Sequence, residues 1–428
     1  MNLLKKHSVK ILYVATMSAL GLSFLGSAKN AVLLGPKLFG DWKYLQSFVV
    51  MASYLVNFGL YSSGGRLIAA TDNQTKIRTY KGYLLYFALF GFSVIVLSLV
   101  VAGLFIPKAL NETLFYLALS MFPMFIVLPL SFYFEAVYQG EKKMLSLAAY
   151  RFVPPFVYVA LLYAFQSLSK GSIYYNAFLY YGSLFIVCMV LVWLDKPIFK
   201  RGTSEWADLK AQHKSFGIQI YWGGLWGVGV IYLLPILVGL FNLDNKDVGH
   251  YSLALSFVIP LSILPGIIGT SNFKNYISQQ SIPKENFKKV ILSSLMLLIV
   301  LLFSIDIIIK TFLPDYQDVA KLIKIGSFGA ILHGFGEFVN KFLLAKGESK
   351  YLKKVSITVG IVQLVSSLIL IKAYSSTGGI IAKSLGSFVF FGMLYAYYHK
   401  KYIIEKSEGM KIVIHGNKEH VPGQIDSE

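Results

Sequence analysis

Residues 33–66 read LLGPKLFGDWKYLQSFVVMASYLVNFGLYSSGGR, and they decide the fold. Two glycines and a proline make a turn, and about twenty mostly apolar residues follow it, enough to cross a bilayer. Leu34 through Trp42 reads as a turn at the outer surface. Asp41 is placed to cap the next helix, and Trp42 and Tyr44 are expected at the lipid interface. The helix then runs inward to Gly64-Gly65-Arg66.

The rest of the chain repeats this pattern. Of its 428 residues 56% are hydrophobic and only 14% charged, more apolar surface than one soluble core of this size can bury. About twelve spans are expected, near 9–34, 42–66, 80–106, 113–138, 146–167, 173–194, 215–241, 247–272, 288–312, 318–344, 351–373 and 378–400. The long first run lacks a cleavage site and reads as a retained span. The class is therefore all-α, a polytopic membrane protein.

A formal charge of +19 belongs here to loops facing anionic lipid, and nucleic acid is not an expected partner. Lysines and arginines gather on alternate loops, among them Lys76, Arg78 and Lys81; Lys142 and Lys143; Lys200 and Arg201; and Lys400 and Lys401. The opposite loops hold little beyond Lys37, Lys43, Lys108, Lys170 and Lys246. Both termini are thus expected in the cytoplasm. Cys188 stands alone, so neither a disulfide framework nor a metal site is expected.

Residues 201–214 read as a basic cytoplasmic loop dividing the chain into six-span halves, 1–200 and 215–402, with 403–428 a polar tail expected to be disordered. The second half echoes the first. Leu237-Val238-Gly239 leads through a polar turn into Val248-Gly249-His250-Tyr251, as Leu34-Gly35 leads through Gly40 into Tyr44. Six spans per repeat give both halves the same orientation, with a cavity between them.

No motif for covalent catalysis or nucleotide hydrolysis is present. Ionisable residues within spans are costly unless they face protein or water, so they are the site candidates. Lys29, Arg66, Lys321 and Lys324 form the leading cationic set, and the excess of cations over Glu135, Asp306 and Glu337 suits an anionic cargo. Arg66 and Arg151 also read as anchors at inner helix ends. Lys310, Lys372 and Lys383 read as snorkelling to the interface, and Asp306, one turn before Lys310, as its counter-ion. His333, Glu337 and Lys341 share one helix face, either as a site sensitive to Na+ or H+ or as a structural pair of Glu337 with Lys341. Gly223, Gly224, Gly227 and Pro235 loosen the seventh span, for close packing or for bending.

Asn57-Phe58-Gly59-Leu60 through Gly64-Gly65-Arg66 to Ala69, with Ala345-Lys346-Gly347-Glu348 to Lys350 after the tenth span, resembles the polysaccharide (O-antigen, Wzx-type) flippases of the MATE-like multidrug and oligosaccharidyl-lipid exporter superfamily. The resemblance implies a MATE-like fold of two six-helix lobes in the bacterial cytoplasmic membrane. It implies a cargo of undecaprenyl-diphosphate-linked oligosaccharide moved by alternating access, no cofactor beyond a Na+ or H+ gradient, and a polysaccharide polymerase and chain-length machinery as partners. Where relatives often carry an acid in the seventh span, this chain has Leu234-Pro235. A drug antiporter of the same fold and a membrane glycan polymerase or ligase are the alternatives. The first would prefer acids in its cavity, and the second a large outer loop.

Overall fold

The structure is a computed structural model describing residues 8–105, 110–200, 204–242 and 244–404. The expected tail beyond residue 404, together with Lys108 and Arg201, lies outside the described residues.

Ten segments are long and apolar enough to cross a membrane. Two of them, Lys10–Leu55 and Ser349–Ile404, hold 46 and 56 residues. As straight helices they would measure about 69 and 84 Å, more than twice a bilayer's hydrocarbon core. Each contains one non-helical residue where the chain reverses, Gly35 (φ 72°, ψ 171°) and Ser375 (φ 51°, ψ −130°). Ten segments with two of them doubled make twelve spans: α1 (8–34), α2 (36–55 and Leu60–Ala69), α3 (Gln74–Phe105), α4 (Glu112–Gly140), α5 (Met144–Ala164), α6 (Ile173–Asp195), α7 (Ser204–Phe241), α8 (Lys246–Ser271), α9 (Lys284–Phe312), α10 (Val319–Ala345), α11 (349–374) and α12 (376–404). The molecule is a multi-pass, all-α membrane protein.

The opening stretch turns more sharply than its sequence suggests. Gly35 alone breaks the helix, and Pro36 starts the next, a position where its missing N–H costs nothing. Asp41 is therefore inside α2 and caps nothing. It is buried and accepts a 2.7 Å hydrogen bond from Asn245 Nδ2. Trp42 and Tyr44 are likewise buried rather than at the lipid interface, and Trp42 packs edge-on against Tyr180 and Tyr181. Tyr316 Oη and the Gly171 amide donate to the carbonyls of Ala31 and Leu33, so the reversal leaves neither unpaired.

The expected unbroken span at 42–66 is interrupted. Phe58 and Gly59 both have positive φ, and helix resumes at Leu60. A side chain on Gly59 would collide with the Gly217 carbonyl, so backbone contact with α7 and a left-handed turn both require glycine there. Tyr221 of α7 donates a 2.9 Å bond to the carbonyl of Leu55, just before the break.

Two sets of contacts hold the ends of the bundle. At the face where α1 meets α2, opposite the basic loops, α2 and α8 cross at Gly40 and Gly249, each within one of the two stretches that echo one another. A Cβ on Gly249 would stand 2.5 Å from the Pro36 carbonyl oxygen. At the basic face, Lys81 is not a solvated loop lysine but is buried between Glu141 (2.7 Å) and Asp195 (3.2 Å), with Tyr133 Oη donating to Asp195.

Residues Ser204–Gln212 of the segment read as a loop are helical and form the first part of α7. Trp206 stacks on Tyr83, Tyr80 donates to Asp208, and the Ile198 amide donates to the Arg78 carbonyl, so the link between the halves lies against α3. α7 contains two π-helical stretches, His213–Gly217 and Leu225–Gly229, the second holding Gly227 directly after Gly223-Gly224.

Candidate functional site

Three adjoining cavities of about 430, 330 and 470 Å³ run along α1: the first between the halves against α5, α8 and α10, the second within the first half against α5 and α6, and the third between the halves against α2, α8 and α9. They share Thr16, Arg151, Met17 and Ser23 among their walls. The largest polar groups in the first are Arg151, His333, Glu337 and Lys341, and at the other end of the chain of cavities Lys43, which donates to Gln46 Oε1 at 3.2 Å, lines the third with Ser27 and Ser256.

Arg151 is fixed by two bonds to Glu135 of α4, Nε to Oε1 at 2.8 Å and Nη2 to Oε2 at 2.6 Å, and by a third to Thr16 Oγ1 of α1 at 3.2 Å. That planar fork sets the orientation of the guanidinium at the cavity wall. Across the cavity Glu337 and Lys341 form an ion pair at 3.6 Å, Asn340 approaches the same carboxylate at 3.4 Å, and His333 stacks on Phe390. Spacing of four residues on α10 brings these groups to one face, and their cost in hydrocarbon is met because that face lines a cavity.

The four leading cations of the sequence are not brought together. Lys29 donates to Gln166 (2.9 Å) and lies over the Tyr163 ring near the α5–α6 turn. Lys321 is exposed at the start of α10. Lys324 pairs with Asp306 at 2.6 Å, so that carboxylate neutralises Lys324 and not Lys310. Arg66 lines a different cavity of about 510 Å³ between α2, α4 and α7. Of the residues read as loosening α7, Pro235 is buried within its last helical stretch.

Lys43 is a cavity lysine that sequence reasoning assigned to an outer loop. Its place depends on where α2 begins, and the signal was Pro36, which starts that helix two turns earlier than expected. Arg151, read as an even choice between anchor and site, is the most firmly positioned cation of the interlobe cavity.

The chain matches no family model and no curated protein. Among solved structures it is similar to one described as "Lipid II flippase MurJ, inward closed conformation", at 13% identity and a TM-score of 0.71 over 96% of this chain and 93% of that one. It is also similar to an inward-facing multidrug resistance MATE family transporter of the MOP superfamily, at 13% identity and a TM-score of 0.66 over 92% of this chain and 99% of that one. A MATE structure in the bent conformation gives 14% identity and a TM-score of 0.56 over 94% and 97% of the two chains. At such identities the likeness is one of fold, and the fold is MATE-like, with about twelve spans in two six-helix lobes.

Proposed function

We propose that this protein is a flippase for an undecaprenyl-diphosphate-linked oligosaccharide, an O-antigen, capsule or exopolysaccharide unit. In this reading it sits in the bacterial cytoplasmic membrane with its basic face in the cytoplasm and works by alternating access of lobes 1–200 and 215–402. The observation that carries the reading is the convergence of Arg151, Lys341 and Lys43 along one series of cavities between the lobes. A diphosphate and its sugars cannot cross hydrocarbon unaided, each unpaired charge costing several kcal/mol. Cations spaced from one end of a hydrated cavity to the other, with Thr16, Ser23 and Ser27 between them, offer the headgroup successive partners while the polyprenyl chain stays in lipid.

Arg151 suits the first contact with phosphate because its fork is already oriented. In the same reading His333, Glu337 and Lys341 couple transport to a Na+ or H+ gradient. The π-helical stretches beside Gly223, Gly224 and Gly227 let α7 bend, and Lys29, Lys321 and Lys324 attract the headgroup near the outer face. The polysaccharide polymerase would receive the product there. Transport, and not covalent catalysis, is the expected chemistry. A second reading, a MATE-like exporter of cationic small molecules, draws on Glu337 in the cavity.

Proteoliposomes separate the two. Glycan delivered to the far leaflet, read by glycosidase accessibility, is expected to fall at least tenfold in Arg151→Gln and Lys341→Gln at equal reconstitution. Efflux of a cationic dye without any glycan movement would replace the flippase reading by the second.

A further inference from the structure

The cavity that holds Arg66 shares no wall residue with the three along α1, and its walls differ in kind. It is bounded by the second piece of α2, by α4 and by the Phe216 to Ile220 stretch of α7. Gly65 and Gly140 press these parts of α2 and α4 together, a Cβ on Gly140 standing 2.6 Å from the Gly65 carbonyl oxygen. The space is left on the α7 side, where Arg66 lies 4.8 Å above the Phe216 ring.

Donors outnumber acceptors on this wall, where the acceptors are Glu135 and the amide oxygen of Gln139, whose NH2 donates to Glu135 at 2.9 Å. Arg66 makes no ion pair or hydrogen bond among the described residues, so its five N–H groups are free. Tyr61 is only 3% exposed and lines the cavity, yet its buried hydroxyl has no partner, an unfavourable state that a ligand's acceptor would relieve. No side chain accepts from the first turn of helix Leu60–Ala69, and although the Leu60 amide bonds the Asn57 carbonyl, Tyr61 and Ser62 of that turn are on the cavity wall, at the positive end of the dipole. Asn57 spends its oxygen on the Gly59 amide, leaving its NH2 group. The one carboxylate on the wall, Glu135, is already neutralised by Arg151.

We propose that this side cavity is a second anion site, in which Arg66, Tyr61 and the first turn of helix Leu60–Ala69 hold the phosphate ester of a lipid headgroup. Arg66 lies about 5 Å from the end of its helix at the basic face, at 1.5 Å per residue, near headgroup depth. Phe216 and Phe132 give the ester an apolar flank. The shared chemistry is a lipid phosphate, supplied either by the polyprenyl diphosphate cargo or by an anionic phospholipid of the same leaflet. Only the first of these sources rests on the flippase reading.

The test uses the full-length protein in nanodiscs of zwitterionic lipid, with bound molecules counted by native mass spectrometry. Farnesyl diphosphate and phosphatidylglycerol are the probes. Wild type is expected to bind two molecules of farnesyl diphosphate. Arg66→Gln should weaken one of them at least tenfold and leave the other, Arg151→Gln should do the converse, and Arg66→Lys should retain part of the lost affinity. Phosphatidylglycerol displacing the Arg66-dependent molecule would support a bilayer lipid as the occupant, and failure to displace it would support the cargo. Unchanged binding in Arg66→Gln overturns the proposal, as does loss of both molecules, which would make the two cavities one site. Phe216→Leu keeps the charge and removes its shelf, and a several-fold weakening confined to the Arg66-dependent molecule is expected from it. If Arg151→Gln changes nothing while Arg66→Gln loses one molecule, the side site stands and the interlobe reading fails.

Discussion

Arg151 and Glu135 form a two-point ion pair, at 2.8 and 2.6 Å, that divides one cavity from another. Arg151 faces the space between the lobes, and Glu135 faces the space that holds Arg66. Removing the carboxylate's charge while keeping its shape should free the guanidinium without emptying the wall. Glu135→Gln is expected to cut glycan movement about tenfold, and Glu135→Asp to retain more, since a charge-assisted bond outweighs a neutral one roughly twofold. The check is the glycosidase-accessibility assay at matched protein density.

Asp41 and Asn245 join the lobes across 204 residues of chain. Replacing both by cysteine should allow an oxidant to lock that end shut. Transport is expected to cease on oxidation and return with a reductant. The only native thiol, Cys188, is buried and should not interfere. Continued transport in the fully crosslinked protein would mean that this end never needs to part.

Lys81 compensates two buried carboxylates at once. Lys81→Met leaves Asp195 without a lysine and Glu141 with only the half-exposed Lys143 at 3.1 Å, and the loss is expected to be about 3–5 kcal/mol, seen as a lower unfolding midpoint. The triple variant Lys81→Met with Glu141→Gln and Asp195→Asn should recover much of it, because no buried charge is then stranded.

Glu348, in the turn between α10 and α11, gives a pH dependence. Burial raises its pKa, but hydrogen bonds from Lys401, Tyr397 and Tyr402 outweigh that and hold it below the ordinary glutamate value. A depressed carboxylate stabilises the fold above its unfolded pKa and loses that contribution as pH falls through the folded one. Wild type should therefore lose thermal stability on acidification through that range, whereas Glu348→Gln should start lower and vary less there. Parallel curves for the two proteins would show that Glu348 contributes nothing of this kind.

The spans were legible because apolar runs of bilayer length leave few other folds open, and the alternation of basic loops paired with it. What sequence could not supply was register at turns and partners at long range. Reading the α1–α2 turn as nine residues instead of one placed Asp41 at a helix cap, Trp42 at the lipid interface and Lys43 on an outer loop, when all three are within α2. Lys81 looked like its loop neighbours because Glu141 and Asp195 lie far away in sequence. Lys324 and Asp306 are 18 residues apart on different helices, and no helical spacing rule could pair them. Arg66 was marked by its type and depth, but which cavity it enters depends on the break at Phe58-Gly59.

The crossing at Gly40 and Gly249 also fixes where leverage acts. Two rods touching near one end part most at the other. A relative rotation of about ten degrees, acting over a bilayer core of about 30 Å, moves the far ends by roughly 5 Å, close to one turn of helix. The end of the first cavity beside Thr270 of α8 is thus the sensitive end of the molecule, and a spacing error of a fraction of an ångström at the two glycines would be magnified there. Backbone-to-backbone contact, with no side chain to compress, is the stiffest fulcrum a pair of helices can make.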